Sequence, residues 1–525
     1  MMSNLGQNKE LFIPFAALFI IFLTGLFSLP IMPIDETRYV SVAWEMWAKK
    51  SFLLPILNGH PYSHKPPLFF WLMHIGWFMF GVNSYIPRII PFIFSVLSLF
   101  LTYKISKLLW PSDSQTSSLS IFILSSFWMY VLWSFLIMFD MILCFWVLLG
   151  IFGIIRSFKS KLGWIFLWLS LSFGGLTKGP VILVHILPVV IFSFWWSQHK
   201  VSFKWYLLFV IILILAFLTD LSWVISAIHR GGHLYEKQIL WTQTANRVVS
   251  AFAHKRPLWW YVSFLPLILA PWIFLTWKYK LSLQDRGVRL CVVWVFGSFF
   301  LFSIISSKQI HYLLPELPGF ALLLSKNLNE SDKLYPKALA FIFFILGLFL
   351  FCSPFFKFIP EIHLKPLWIL TPFLLILSAI FFMSVKFKNQ KSLTKNVSLS
   401  IYLVFIFFLI GCRDYLNTFD LSYPSKIIAQ EIKQGKEIVY IGKYHGEFHF
   451  LGRIKKKFWV FRGINSKLKE FLSTHPNSVV ITNFKTKKLK KLPSDKEIIY
   501  KQKIRGRLLI LWDRDEFINF FLKKD

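Results

Sequence analysis

Apolar runs long enough to cross a bilayer recur along this chain, and no other feature narrows its fold so far. The first, Leu11 to Pro30, supplies the about 20 helical residues that a hydrocarbon core roughly 30 Å thick requires. Further runs predict helices near 85–109, 119–135, 138–155, 164–177, 180–197, 204–228, 258–278, 288–306, 311–325, 335–355, 367–386 and 395–412, about thirteen spans in all. With 56% hydrophobic and 16% charged residues, the chain is too apolar for a soluble globule. It reads as a mainly α, polytopic membrane protein.

The formal net charge of +33 would suit nucleic acid, but the cations sit mostly between the apolar runs and in the tail. Anionic lipid headgroups or an anionic lipid-linked substrate are the expected partners, and nucleic acid is not. Arg156, Lys159 and Lys161, then Lys200 and Lys204, then Lys278, Lys280, Arg286 and Arg289, then Lys326 and Lys333, then Lys386, Lys388 and Lys391 all fall on one side. The positive-inside rule makes that side cytoplasmic, with the N-terminus there and the C-terminus outside. Lys9 precedes the first run and no small-residue cleavage site precedes Pro30, so this span is expected to be retained. Cys144, Cys291, Cys352 and Cys412 lie in or at the ends of apolar runs without metal-like spacing; they read as core residues, with no disulfide framework.

Two long loops, 31–84 and 229–257, and the tail fall on the outer side. Within the first loop, 36–49 reads as an amphipathic helix after an Asp35 cap, and 67–80 as a short apolar helix; both are expected along the outer surface. Residues 1–412 form the predicted transmembrane domain. Residues 413–525 are charged and soluble-like, a small α/β domain with strands at 437–441, 478–482 and 508–512, helices at 424–434 and 465–473, and a turn at Arg505-Gly506.

Polar residues in the first loop invite a chemical reading. Asp35-Glu36 taken alone is an acidic pair suited to a helix start. Lys65-Pro66-Pro67 could be a turn opening a surface helix, with Lys65 snorkelling to headgroups; held by that stiff turn, Lys65 also suits a phosphate leaving group. Asp140, at the start of a span, costs about 2.5–3.5 kcal/mol at a helix centre and needs a partner or water. Asp220, within the seventh run, reads as structural, paired with a nearby cation.

The strings DETRYVSVAWEM, LNGHPYSHKPPLFFWL and FGVNSYIPRIIPFIFS resemble the opening of bacterial lipid A aminoarabinose transferases and of the related protein mannosyltransferases, glycosyltransferases of the GT-C membrane fold that use polyprenyl-phosphate sugars. The shared pattern is Asp35-Glu36, Arg38-Tyr39, Asn58-Gly59 and Lys65-Pro66-Pro67. Thr177-Lys178-Gly179-Pro180, Asn246-Arg247 with the Pro257-Leu258-Trp259-Trp260-Tyr261 stretch, and Ser307-Lys308 through Tyr312 to Pro315 resemble later segments.

What this resemblance implies is a sugar transfer on the periplasmic face of a bacterial inner membrane, from undecaprenyl phosphate to lipid A, a related glycolipid, or Ser/Thr of envelope proteins. Lys65, Arg247 and Tyr312 would hold the donor phosphate. Asp35, Glu36 and Asp140 would be the catalytic carboxylates, with Asp35 either a general base or an orienting group according to the acceptor. Arg38, Tyr39, Arg88, Lys178 and Lys308 would support them. His64 and Thr244 stand where relatives carry residues that hold a structural zinc; threonine is a poor zinc ligand, so no cofactor is assigned, and a divalent metal on His64 with His60, His233 or His254 stays an open alternative. A flippase for lipid-linked sugars is the competing class. Polar residues gathered on one face favour surface chemistry over alternating access.

Overall fold

The computed structural model describes residues 2–239, 256–276, 282–330, 335–352, 366–485, 498–504 and 506–522. The described residues sort into two compact units: those of 1–27, 63–359 and 364–411 in one, those of 28–62 and 412–525 in the other.

Each predicted apolar run contains helix within its described residues. The order begins α1 Met2–Ser28, α2 Asp35–Ala48, α3 Leu68–Phe80, α4 Ile86–Leu109, α5 Ser114–Ser126, α6 Trp128–Trp133, α7 Asp140–Ser157, α8 Leu162–Lys178, α9 Val181–Ile191, α10 Ser193–Trp196 and α11 Phe203–Lys237. Among the described residues, six helices are long and apolar enough to cross a membrane: Glu10–Ser28, Ile86–Leu109, Asp140–Ser157, Phe203–His233, Arg286–Ile304 and Gln390–Gly411. Several runs are broken. The 119–135 run divides at Phe127 into α5 and α6. The 311–325 run opens as a 3-10 turn, Ile310–Glu316, before the helix Leu317–Asn329; Pro315 and Pro318 each remove a ladder donor there.

Small residues let the first unit pack closely. A β-carbon at Gly153 of α7 would lie 2.8 Å from Gly163 O and Leu167 N, so the α7–α8 contact depends on bare backbone, as membrane helix pairs often do. All four cysteines are free, and Cys144, Cys291 and Cys412 are buried.

In the second unit, α2 is accompanied by a two-stranded hairpin, β1 Ile56–Leu57 and β2 His60–Pro61. Asn58 and Gly59 turn it with φ of 51° and 74°, the left-handed pair that tight hairpins need. The first residue of α2 is Asp35, and the cap position is Ile34, which makes no side-chain cap bond. Asp35 is therefore not the N-cap the sequence predicts; its carboxylate faces Arg38, 3.4 Å away.

A five-stranded sheet completes this unit: β3 Glu437–Ile441, β4 Trp459–Phe461, β5 Ser478–Lys485, β6 Tyr500–Ile504 and β7 Arg507–Asp513, in the order β4-β3-β5-β7-β6. β3 pairs in parallel with β4 and β5, and β7 runs antiparallel to β5 and β6. Alternate residues serve two cores. Ile438, Ile481, Leu509 and Leu511 pack with Ile428, while Val439, Val480, Ile510 and Trp512 pack with Leu468, Leu472 and Phe517, the period-2 pattern of a sheet covered on both faces.

Candidate functional site

The predicted residues fall into two groups, one in each unit. In the first unit, the turn at Pro66-Pro67 precedes α3 and leaves Lys65 Nζ 5.4 Å over the ring of Phe139. Phe139 is held edge-on by Phe69 and Phe70, at 5.0 and 5.6 Å. The next residue, Asp140, opens α7 and is 2% exposed. Its carboxylate accepts from Lys178 Nζ, the last residue of α8, at 2.5 Å, so the intramembrane acid has the partner it needs. The same ammonium lies 4.6 Å over the Tyr312 ring. His311 Nε2 stands 3.9 Å from Asp140 Oδ1, its ring stacked on Trp133 at 5.5 Å. Lys65 is near enough for its charge to act on Asp140 as well.

Lys65, Asp140, Lys178, His311 and Tyr312 thus converge from the segment just before α3, from α7 and α8, and from the 3-10 turn. Burying a lone carboxylate would cost several kcal/mol; Lys178 offsets that. Lys65 adds a second ammonium whose charge acts on this pair, a point charge of the kind that suits a phosphate. The sequence reading named His311 only within a matching string, although a histidine beside Tyr312 was a visible signal.

Two supporting residues hold backbone. Arg88, 2% exposed, donates from Nη1 to Phe135 O at 3.1 Å. Lys308, equally buried, donates from Nζ to Ile305 O at 2.6 Å and to Arg256 O at 3.2 Å. Asp220 departs from expectation: among the described residues no cation pairs with it, and its Oδ1 has no hydrogen-bond partner. It lies instead against the bare backbone of Gly175. Arg247 and Thr244 lie outside the described residues.

The second unit presents α2. Glu36 is 4% exposed and its Oε2 accepts from Met32 N at 2.8 Å, which closes the turn ahead of the helix. Tyr39 is buried. Asp35 is different, with 54% of its side chain exposed. Arg38, which faces it, also donates through Nη2 toward His445 Nδ1 at 3.1 Å. Further along α2, Ser41 Oγ donates to Gly446 O at 2.5 Å and Trp44 Nε1 to Ile454 O at 2.9 Å. Glu45 accepts from the backbone N–H of Asn58 at 2.5 Å and of Gly59 at 2.8 Å. The Asn58 side chain in turn bonds both backbone groups of Phe458, donating at 3.0 Å and accepting at 2.8 Å. Residues 445–458 therefore clamp the helix that carries Asp35, a role that sequence reading missed.

Burial sets the electrostatics of this clamp. It raises the Glu45 carboxyl, opposed by the Gly59 and Asn58 N–H bonds, and pushes Glu447 up to about 7. Burial, then the Arg38 charge, lowers His445 to about 4, and burial lowers His449 to about 3. His445 is thus neutral near pH 7 and able to accept from Arg38. Among the described residues no group of three or more His, Cys, Asp or Glu could hold a metal ion.

Six helices long and apolar enough to cross a membrane, with a separate unit that carries a small sheet, define the class as a multi-pass membrane protein. Comparison with known proteins narrows this. Residues 64–223 match the family described as dolichyl-phosphate-mannose-protein mannosyltransferase. The chain is 25% identical over 311 residues to the undecaprenyl phosphate-alpha-4-amino-4-deoxy-L-arabinose arabinosyl transferase of Wigglesworthia glossinidia brevipalpis, covering 57% of this chain and 55% of the relative. It is 26% identical over 352 residues to the enzyme of that name from Yersinia enterocolitica, covering 62% and 61%. It therefore spans little more than half the length of these curated relatives. The crystal structure of ArnT from Cupriavidus metallidurans bound to undecaprenyl phosphate shares the fold, with a TM-score of 0.73 and 16% identity over 94% of this chain and 96% of that one. The chain is thus similar in sequence to aminoarabinose transferases over little more than half its length, and it shares the fold of the ArnT structure.

Proposed function

We propose that this protein is an integral membrane glycosyltransferase that moves a sugar from undecaprenyl phosphate, or a closely similar polyprenyl phosphate, to lipid A or a related glycolipid on the periplasmic face. The observation that carries this reading is the cluster of Lys65, Lys178, Tyr312 and His311 around the buried Asp140. Names of relatives and the bound lipid in the solved ArnT structure support the donor.

As the bond between the anomeric carbon and the bridging oxygen breaks, its electron pair stays on the phosphate, and Lys65 stabilises that charge where it develops. Tyr312 and Arg247 complete the phosphate contacts. Asp140 acts through Lys178, holding the ammonium at the Tyr312 ring. Asp35 serves the acceptor. A lipid A phosphate is already a nucleophile, and Asp35 then orients it; a hydroxyl acceptor would give Asp35 its proton.

The match of residues 64–223 to a protein mannosyltransferase family favours a second reading, with Ser or Thr of envelope proteins as acceptor. Mass spectrometry of lipid A and of envelope proteins from a deletion strain separates the two. Loss of a sugar from lipid A supports the first reading, and loss from protein alone removes it. Lipid-linked sugar that changes leaflet without any product would identify a flippase instead.

A further inference from the structure

At the end of α7 opposite Asp140, the first unit holds a second basic site that the proposed transfer does not use. The helix is 18 residues long, so its two ends lie about 25 Å apart. A cavity of about 270 Å³ opens there between α4, the α7–α8 turn, the segment after α10 and the helix Arg286–Ile304. Arg156, Lys159 and Arg286 line it, and no carboxylate does. The nearest acidic neighbour in sequence, Asp285, is committed elsewhere: it accepts from Trp110 Nε1 at 2.9 Å and from Val288 N at 2.9 Å. Among the described residues Arg156 Nε is buried without a hydrogen-bond partner.

Phe158, Trp196 and His199 also line the cavity, and ring packing holds them. Phe158 stacks on Trp205 at 5.0 Å and on His199 at 5.7 Å, and meets Trp196 edge-on at 5.9 Å. Cations and aromatic side chains that line one cavity at the end of a membrane helix match a phosphodiester with attached hydrocarbon.

We propose that this cavity binds the phosphate group of an anionic phospholipid, held by Arg156, Lys159 and Arg286 with the lipid's apolar portion against Phe158 and Trp196. It is a lipid site separate from the donor-phosphate cluster and independent of the transfer reaction.

The test is native mass spectrometry of the full chain in detergent, titrated with phosphatidylglycerol or with phosphatidylcholine, for wild type and for Lys159→Glu and Arg286→Gln, both at exposed positions. Wild type should retain phosphatidylglycerol in preference to phosphatidylcholine, and each variant should bind it on the order of fivefold more weakly for each cation removed. Arg156→Lys, which keeps the charge, should retain binding. Equal retention of the two lipids, or unchanged phosphatidylglycerol affinity in both variants, overturns the proposal. Inorganic phosphate at millimolar concentration that displaces all phosphatidylglycerol from the site would show a free-anion site and overturn the lipid assignment.

Discussion

At the scale of single residues, Lys178 and Asp140 carry the sharpest consequence. The side chains are 8% and 3% exposed, so removing Lys178 takes the hydrogen-bonded partner from a buried carboxylate and leaves it His311, 3.9 Å away, and the charge of Lys65. Lys178→Met should lower the stability of the detergent-solubilised protein by about 3 to 5 kcal/mol. Asp140→Asn added to it should recover much of that loss, which thermal unfolding of the single and double variants will show. Asn58 makes a second residue-scale case. Asn58→Ala breaks both bonds to Phe458 and leaves a left-handed φ without asparagine, an expected cost of about 2 to 3 kcal/mol, read as faster hydrogen exchange across 445–458. Sequence made the importance of Asp140 legible because an intramembrane acid demands a partner. It could not choose Lys178 over other cations, since that pairing joins residues 38 positions apart.

At the scale of elements, the segment around His445 to His449 couples α2 to proton activity. His449, held near 3 against an ordinary 6.5, excludes a proton that the unfolded chain takes up; this stability is complete above about 6.5 and is lost as pH falls through that window toward 3. Glu447, raised to about 7 from 4.5, works oppositely: its stabilisation is complete below the ordinary value and is lost as pH rises to about 7, by roughly 1.4 kcal/mol per unit. Glu447→Gln should therefore protect amides 445–458 from exchange at about pH 8 relative to wild type, with little difference at about pH 4. The α8–α11 contact gives another test. A β-carbon at Gly175 would overlap the Asp220 carboxylate, so Gly175→Ala should destabilise the protein by about 1 to 3 kcal/mol and Asp220→Ala should relieve it. The spanning helices were legible because apolar length leaves a strong pattern, though not the breaks at Phe127 and at the 3-10 turn Ile310–Glu316. β4 and β6 were not, as β4 is three residues long and β6, Tyr-Lys-Gln-Lys-Ile, carries two lysines among its five residues.

At the scale of the whole molecule, chain order and folding units do not coincide. Residues 28–62 belong with 412–525, while 63–84 belong with the membrane helices. The motif DETRY through KPP, a single loop in sequence, is thus shared by two units, and only long-range bonds such as Asn58 to Phe458 reveal it. No local pattern encodes a contact 400 residues away. The central claim is that Lys65 supports departure of a lipid phosphate and Asp35 serves the acceptor. Transfer of labelled sugar from undecaprenyl phosphate to lipid A, in membranes containing equal amounts of wild type, Lys65→Ala or Asp35→Asn protein, tests it most directly. The account predicts that Lys65→Ala loses about 10²- to 10³-fold in rate and that Asp35→Asn is also strongly impaired; transfer by both variants at the wild-type rate would contradict it.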